Sequence, residues 1–339
     1  MAPRLNEKNE RAKRRYLEYR KFARRLSEKS LDKEIAAIER FELWNGRKDF
    51  AKFHIKWPMA FCESLETATI SRTNKPLGKS TIRSVLGALR SFFLWLSQQE
   101  GYRRKIRPRD SDYFSISLRD EAEARAAEPR PAPTPEQVQH VLKSMPANTD
   151  IQKRDRAIFA LLMLTGIRDG ALITLRLKHI DLDETSVVQS PREVATKYGR
   201  PIVTFFVTGF PEAESIIADW VRHQRETLLR GDNDPLFPKT EMGIGPDGGF
   251  RAVGLLPEFW STAAAVRRIV RDAFVAAKVP SFGPHSFRHM LVRREERSEK
   301  TVEQMRAVSQ NLGHASLLTT LNSYGDLTRA RQRALIRGK

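Results

Sequence analysis

Six polar residues in the second half of the chain have the side chains that a protein nucleophile needs to cleave a phosphodiester. They are Arg168, Lys197, His285, Arg288, His314 and Tyr324. A tyrosine phenol can act as a covalent nucleophile, guanidinium groups match phosphate oxygens with paired hydrogen bonds, and lysine and histidine can transfer protons. Each of these residues alone is most often a surface, salt-bridging or packing residue. The prediction of a phosphodiester-cleaving site therefore depends on all six residues together.

Other kinds of site fit the sequence less well. His285 and His289 stand four residues apart, which on a helix is a spacing that can hold zinc, but no HExxH glutamate accompanies them. The chain has no Walker-type glycine loop and no close group of acidic residues of the kind that holds magnesium. We therefore expect neither a metal nor another cofactor.

The composition points to a polyanionic partner. The 339 residues include 60 Lys and Arg against 41 Asp and Glu, a formal net charge of +19. Surplus cations gain affinity by displacing the counterions condensed around phosphates, so nucleic acid is the favoured partner. A membrane surface is disfavoured, because no helix leaves a broad apolar face for lipid.

The same residues indicate where the protein works. No apolar run approaches the roughly 18 residues that a membrane helix needs. The N-terminal residues lack the apolar stretch of a secretory signal, and the single cysteine, Cys62, cannot form an internal disulfide. We expect a cytoplasmic protein of a bacterial-type cytosol or nucleoid.

The elements that position the six residues follow from composition and periodicity. Residues 1–33 carry twelve basic and five acidic residues and are predicted to form a basic helical arm, with a solvated run of charges as the alternative. Residues 34–125 are predicted to form an all-helical domain, in which apolar residues at helical spacing mark a helix over 82–96. The proline-rich residues 126–134 are predicted to be a linker. Residues 135–339 form the second domain.

The second domain is predicted to be mainly α with a small antiparallel β-sheet, an α+β fold. It opens at a capping box in which Thr134 precedes Pro135 and Gln137. β-type runs at 186–189, 193–197 and 202–207 follow, and Gly199 and Pro201 predict a hairpin turn with Lys197 at its edge. Mostly helices are expected beyond it.

Four segments of the second domain resemble the motifs of the tyrosine recombinases, the phage-integrase family. They are LTGIR at 164–168, ATKYGRP at 195–201, PHSFRH at 284–289 and NLGH at 311–314, and Tyr324 follows them. The segments occur in family order over roughly residues 135 to 335, which is far more specific than any one of them. The helical region from Lys79 is also similar to the family's core-binding domain, although more weakly.

The resemblance implies a chemistry. Tyr324 would attack the scissile phosphate to give a 3'-phosphotyrosyl link, and Arg168 and Arg288 would bind the non-bridging oxygens. Lys197 would protonate the leaving 5'-oxygen, with help from two histidines, His285 and His314. No cofactor is implied.

The resemblance also implies an assembly. The two domains would clamp double-stranded DNA recombination sites, with candidate DNA contacts at Lys79, Arg83, Arg90 and Arg200. A monomer or dimer free in solution would form a homotetramer on two duplexes, pass through a Holliday junction, and work with accessory DNA-bending proteins. Mobile elements are the expected setting.

Two departures from the family pattern keep alternatives open. Ala171 stands where the family usually has an acidic residue, three positions after the first arginine, and the family commonly has nine positions between the last histidine and the tyrosine where this chain has ten. A non-catalytic, site-specific DNA-binding protein and a type IB topoisomerase-like enzyme therefore remain alternatives. The basic tail after Tyr324 packs on its own domain or on a neighbouring protomer, and the sequence does not choose between them.

Overall fold

The computed structural model describes residues 5–70, 74–125, 131–196, 199–245, 248–296 and 301–313, together with 333, 336 and 337. The chain divides into two compact units, Met1–Ala127 and Glu128–Lys339. Most described residues are helical and the strands are short and antiparallel, which confirms the predicted fold class. Among the described helices, none is both long and apolar enough to cross a membrane.

The first unit is built from helices joined by short turns. Its α-helices are α1 (Glu7–Glu18), α2 (Glu28–Trp44), α3 (Lys56–Thr67), α4 (Lys79–Leu96) and α5 (Leu118–Arg125). A π-helical turn, Tyr19–Ala23, follows α1. The predicted domain limits stay a prediction, and α2 runs across the one placed after residue 33.

Helix α4 supplies the centre of the first unit's core. Its buried residues recur every three or four positions, as one face of a 3.6-residue helix requires, and they are Ile82, Leu86, Leu89, Phe92, Phe93 and Leu96. Phe92 meets the ring of Tyr16 from α1 edge to face, with centroids 5.1 Å apart. Phe93 packs in the same manner on Phe41 from α2 at 5.4 Å. Aromatic side chains thus join three helices around one stripe.

A buried polar group fixes α1 against α2. Glu42 accepts a hydrogen bond from Asn9 Nδ2 at 2.8 Å and another from Lys13 Nζ at 2.8 Å, and all three side chains are buried. Asn9 Oδ1 also accepts from the backbone N–H of Phe50 at 3.0 Å. Buried polar groups are stable when each has its partners, so these bonds specify how α1 docks.

Replacing Glu42 by glutamine is expected to destabilise the first unit. The change removes one of the two carboxylates that pair with the buried ammonium of Lys13 and leaves only the partly exposed Glu10. Losing a buried hydrogen bond between charged groups is expected to cost about 2 kcal/mol. Urea unfolding of the full chain measures the loss. Glu39→Gln is the matched control, because Glu39 lies on the same helix and is exposed. Equal stability of the two variants would contradict a structural role for the pair.

The second unit combines seven helices with five strands among its described residues. The helices are α6 (Pro135–Ser144), α7 (Asp150–Thr165), α8 (Asp169–Leu172), α9 (Pro211–Glu226), α10 (Ala264–Ala276), α11 (His285–Glu296) and α12 (Val302–Asn311). The strands are β1 (Ile180–Asp181), β2 (Ser186–Gln189), β3 (Ile202–Phe205), β4 (Lys239–Ile244) and β5 (Phe250–Leu256). The predicted capping box at Thr134 opens α6 as expected.

Helix α7 is the central element of the second unit. Every residue from Ala157 to Thr165 is buried, as expected of a helix that is apolar all round. Phe159 packs edge to face on Phe287 of α11, with centroids 5.0 Å apart. The core therefore holds the end of α7 and the start of α11 at fixed positions.

The sheets differ from the prediction in two ways. Strands β1, β2 and β3 form one antiparallel sheet in that order, and β3 pairs with β2, not with residues 193–197. The predicted hairpin is therefore wrong: residues 190–201 form a long connection, of which 197 and 198 lie outside the described residues. A second hairpin, β4 with β5, was not predicted. The glycine-rich turn at 243–249 was its only sequence signal.

Candidate active site

Arg168 lies just beyond the end of α7. The helix ends at Gly166, whose φ of +55° is the left-handed conformation that favours glycine at a helix C-terminus. The hydroxyl of Thr165 accepts from the backbone N–H of Ile167 at 3.2 Å and shapes the same turn. Arg168 then precedes α8 as its N-cap residue and is half-buried. The LTGIR segment thus ends α7 and places Arg168 directly after the turn.

Arg288 lies beneath the same turn. His285 is the first residue of α11 and is exposed, whereas Arg288, one turn later, is only 4 % exposed. Its Nη1 donates to the carbonyl of Gly166 at 3.2 Å. A Cβ on Gly166 would lie 3.1 Å from the Cα of Arg288, so the two backbones are almost in contact. Two segments 122 positions apart in the chain therefore meet.

The two arginines influence each other's charge. Burial, and then the nearby positive charge of Arg168, lower the pKa of Arg288 to about 9. Two like charges that are close together and partly removed from water favour the binding of an anion. The anion reduces their repulsion and compensates for their lost hydration. The electrostatics of this turn therefore suit a phosphate.

A cleft of about 770 Å³ opens beside this pair. Arg168 and His285 line it together with the segment 281–284. Its other wall is α10, which contributes Arg267, Arg268 and Arg271. The sequence prediction did not include these three arginines, although their spacing on a predicted helix was visible. The cleft is strongly basic and extends well beyond the size of one phosphate group.

Asp169 supports this wall. Its Oδ2 accepts from Arg267 Nε at 2.7 Å, and its Oδ1 accepts from the backbone N–H of Gly170 at 2.8 Å. Ala171, at the position where an acidic residue was expected, is packed in the core and 2 % exposed. The carboxylate next to Arg168 in the sequence is thus engaged with α10.

The segment that leads to Lys197 is anchored on its N-terminal side. Glu193 accepts hydrogen bonds from Lys178 Nζ at 2.7 Å and from His179 Nε2 at 3.2 Å, and the bond from Lys178, then that from His179, lower the pKa of its carboxyl. Two residues later, the backbone N–H of Ala195 donates to the hydroxyl of Thr174 at 2.9 Å. The chain is therefore fixed close to the Arg168 region just before residue 197.

The predicted site residues fall into three groups. Arg168, His285 and Arg288 come together as described, and the carbonyl of Gly313 lies 3.5 Å from Arg168 Nη2. Lys197, His314 and Tyr324 lie outside the described residues. The candidate DNA contacts form the third group.

Those candidate contacts have defined surroundings. Three of them lie in the first unit, where Lys79, Arg83 and Arg90 form ion pairs with Asp120, Glu121 and Asp112 at 2.7, 3.6 and 2.6 Å respectively. Arg200 is exposed in the connection between β2 and β3. Their role in binding DNA stays a prediction.

Curated proteins similar to this chain are recombinases. Tyrosine recombinase XerC of Alcanivorax borkumensis is 27 % identical over 249 residues, which cover 72 % of this chain and 68 % of that protein. Tyrosine recombinase XerC of Shigella flexneri serotype 5b is 24 % identical over 318 residues, which cover 90 % and 88 %.

Solved structures show the same fold. The Tn1549 transposon integrase in complex with transposon right end DNA matches with a TM-score of 0.60 at 15 % identity, covering 96 % of this chain and 97 % of that one. A lambda integrase dimer bound to a COC' core site matches with a TM-score of 0.56 at 15 % identity, covering 94 % and 96 %. The model of the phage integrase family matches residues 133–331, more than half of the 339 residues. The chain therefore belongs to the phage integrase family, the tyrosine recombinases.

Proposed function

We propose that this protein is a site-specific DNA recombinase that cleaves and rejoins double-stranded DNA through a covalent bond to Tyr324. Family membership supports site-specific recombination in general. The observation that carries the proposal for this chain is the meeting of Arg168 and Arg288 under one helix end, beside His285 and a basic cleft.

The proposed reaction is an exchange of ester bonds. The phenolic oxygen of Tyr324 forms a bond to phosphorus, and the bond between phosphorus and the 5'-oxygen breaks. The phenol passes its proton to His285 or His314, and the other histidine assists by hydrogen bonding. The departing 5'-oxygen receives a proton from Lys197. No bond energy is lost to hydrolysis, so the 5'-hydroxyl of another strand can reverse the step.

The arginines would stabilise the transition state. As the fifth bond to phosphorus forms, negative charge grows on the two non-bridging oxygens. Arg168 and Arg288 present fixed guanidinium donors where that charge develops, and preorganised donors of this kind usually contribute the largest part of such catalysis. The lowered pKa of Arg288 indicates that its positive charge is unfavourable in the free protein, and a bound phosphate would offset this cost.

The remaining parts of the proposal concern assembly. Lys79, Arg83, Arg90 and Arg200 would contact DNA phosphates, and the two units would clamp one duplex. Four protomers on two duplexes would complete recombination through a Holliday junction. The net charge of +19 supports a phosphate-dominated interaction whose affinity falls steeply with salt. A flat salt response would contradict it.

Trapping the covalent intermediate tests the proposal. The protein is incubated with nicked duplexes that together span the DNA flanking its own gene, and adducts are sought on denaturing gels. The expected result is an adduct whose modified peptide contains Tyr324 and which Tyr324→Phe does not form. Binding to a specific duplex without any adduct would support a non-catalytic DNA-binding protein. Relaxation of supercoils without recombinant product would support a topoisomerase.

The ion pairs of α4 lead to a prediction about affinity. Asp120 neutralises Lys79 in the free protein, so a phosphate that binds Lys79 must displace this carboxylate. Solvent-screened ion pairs contribute little, so Asp120→Asn is expected to raise affinity for duplex DNA by about fivefold or less. Fluorescence anisotropy over a salt series measures it.

Two controls accompany this measurement. Asp183→Asn removes the same charge from an exposed turn of the second unit and should have a smaller effect. In a Lys79→Ala background, Asp120→Asn should have no larger effect than Asp183→Asn. An unchanged gain there would mean that the effect comes from net charge and not from Lys79.

A further inference from the structure

One acceptor for Arg168 is a backbone carbonyl that the sequence did not reveal. An acidic residue at 171 is replaced by a buried alanine, and Asp169 bonds to Arg267 and Gly170. Among the contacts of Arg168 is the backbone carbonyl of Gly313, which faces Nη2 at 3.5 Å. This is a long hydrogen bond, so its value depends on how firmly the carbonyl is held in place.

Asn311 holds that part of the chain against the edge of the sheet. Its Nδ2 donates to the carbonyl of Phe205 at 3.0 Å, and its Oδ1 accepts from the N–H of the same residue at 2.7 Å. The side-chain amide therefore replaces a neighbouring strand along the free edge of β3, whose other edge pairs with β2. The hydroxyl of Thr204 adds a bond to the backbone carbonyl of Asn311 at 2.9 Å.

Gly313 lets the end of α12 approach the sheet closely. Its φ is +59°, and a Cβ at this position would lie 2.5 Å from Cδ1 of Ile202 on β3. Glycine is suited to both requirements. Two hydrogen bonds of the Asn311 side chain, one at its carbonyl and a close contact at Gly313 thus fix Asn311 and Gly313 to one strand. These contacts with β3 hold the Gly313 carbonyl in place next to Arg168 Nη2.

We infer that Asn311 is a positioning residue for the reaction: by anchoring the end of α12 on β3 it holds the Gly313 carbonyl, which orients the Arg168 guanidinium toward the scissile phosphate. A backbone carbonyl thereby does the work of the acidic side chain missing at Ala171. The inference rests on the proposed function, because it concerns the same phosphate.

Asn311→Ala is the principal test. It removes both amide bonds to Phe205, and a misplacement of about 1 Å in a catalytic group can lower a rate about 100-fold. We expect adduct formation to slow by about tenfold to a hundredfold while DNA affinity stays within about twofold. Gln310→Ala is the matched control, since Gln310 is the preceding residue of α12 and is exposed. It should react at the parent rate.

A neutral scissile linkage separates positioning from general damage. In a methylphosphonate, one charged non-bridging oxygen is replaced by a methyl group, so an arginine that neutralises charge matters much less. The defects of Asn311→Ala and Arg168→Ala should both shrink to about threefold or less on this substrate, if charge stabilisation is the lost term. An Asn311→Ala defect of equal size on both linkages would overturn the inference.

A second variant covers the case in which Asn311→Ala does not fold. Thr204→Val preserves the shape of a buried side chain and removes only the donor to the Asn311 carbonyl and the acceptor for Gln189. It should show a smaller defect that is also relieved by the methylphosphonate, and a defect without such relief would again overturn the inference. If the parent protein forms no adduct on any duplex, the proposed function fails instead, so the two failures differ.

Discussion

Arg288→Met is expected to abolish DNA cleavage, lowering the rate of adduct formation by at least about 10³-fold. In the proposed reaction the substitution removes a fixed donor from the oxygens on which charge develops, and methionine retains most of the side-chain volume. Because the proposal has Arg288 bind a backbone phosphate and not base edges, site binding should persist. Adduct formation and anisotropy on the same nicked duplex measure both effects.

The same substitution is expected to leave the fold intact. Arg288 is buried beside another positive charge, which lowers its pKa, so its charged form is less favourable in the folded chain than in the unfolded chain. The shift is unfavourable to stability below the lowered pKa, and hence at neutral pH. Removing the charge offsets the lost bond to Gly166, so the free energy of unfolding should stay within about 1 kcal/mol of the parent's.

Arg154 provides the contrast within the same unit. It is 2 % exposed, but it donates to Asp155 at 2.7 Å, to the carbonyl of Pro238 at 2.9 Å and to Thr240 at 2.9 Å. Arg154→Met leaves these acceptors without their donor and should cost about 3 kcal/mol. If Arg288→Met were as destabilising as Arg154→Met, a structural role for Arg288 would explain its loss of activity.

Gly166→Ala is expected to damage stability and catalysis together. An alanine at φ +55° is disfavoured by about 1 kcal/mol, and its Cβ would press on the Cα of Arg288 and on Cδ1 of Leu291 at 3.2 Å. Either the end of α7 or the start of α11 must shift. We expect a loss of about 1 to 3 kcal/mol in unfolding free energy and a fall of about 100-fold in cleavage rate.

Gly170→Ala is the matched control for stability. Gly170 lies four residues later, inside α8, and an added Cβ meets no heavy atom within 4 Å. Alanine there should leave stability unchanged or raise it by up to about 1 kcal/mol. Thermal and urea unfolding of the two variants side by side check the pair. Similar losses of unfolding free energy in both variants would show that the close contact between Gly166 and Arg288 does not cause the destabilisation.

Local signals made several parts of this structure predictable. The apolar stripe of α4 was readable because its burial follows helical periodicity, and the capping box at Thr134 was readable because its bonds join residues three positions apart. The two arginine boxes were identified by resemblance. Periodicity and composition would not have predicted that Arg168 and Arg288 lie close together, because they meet through the packing of α7 on α11.

The features that escaped prediction depend on contacts between distant residues. β2 pairs with β3 across a long connection, and nothing in residues 193–196 indicates that they form a turn and irregular structure and not a strand. Asn311 belongs to the NLGH segment, but its anchoring contact was not predicted, because its partner, Phe205, is 106 positions away. One acceptor for Arg168 is the backbone carbonyl of Gly313, and no side-chain pattern can reveal such a partner.

The packing of α1 on α2 and α4 limits how far the chain can be truncated from its N-terminus. A fragment that begins at residue 34 would cut α2 within its second turn and discard Tyr16, whose ring is fully buried against Phe92. The cut would also strip Glu42 of both its donors and open an aromatic surface to water. Expression vectors for this protein should therefore retain the first helix, even though its charge makes it look dispensable.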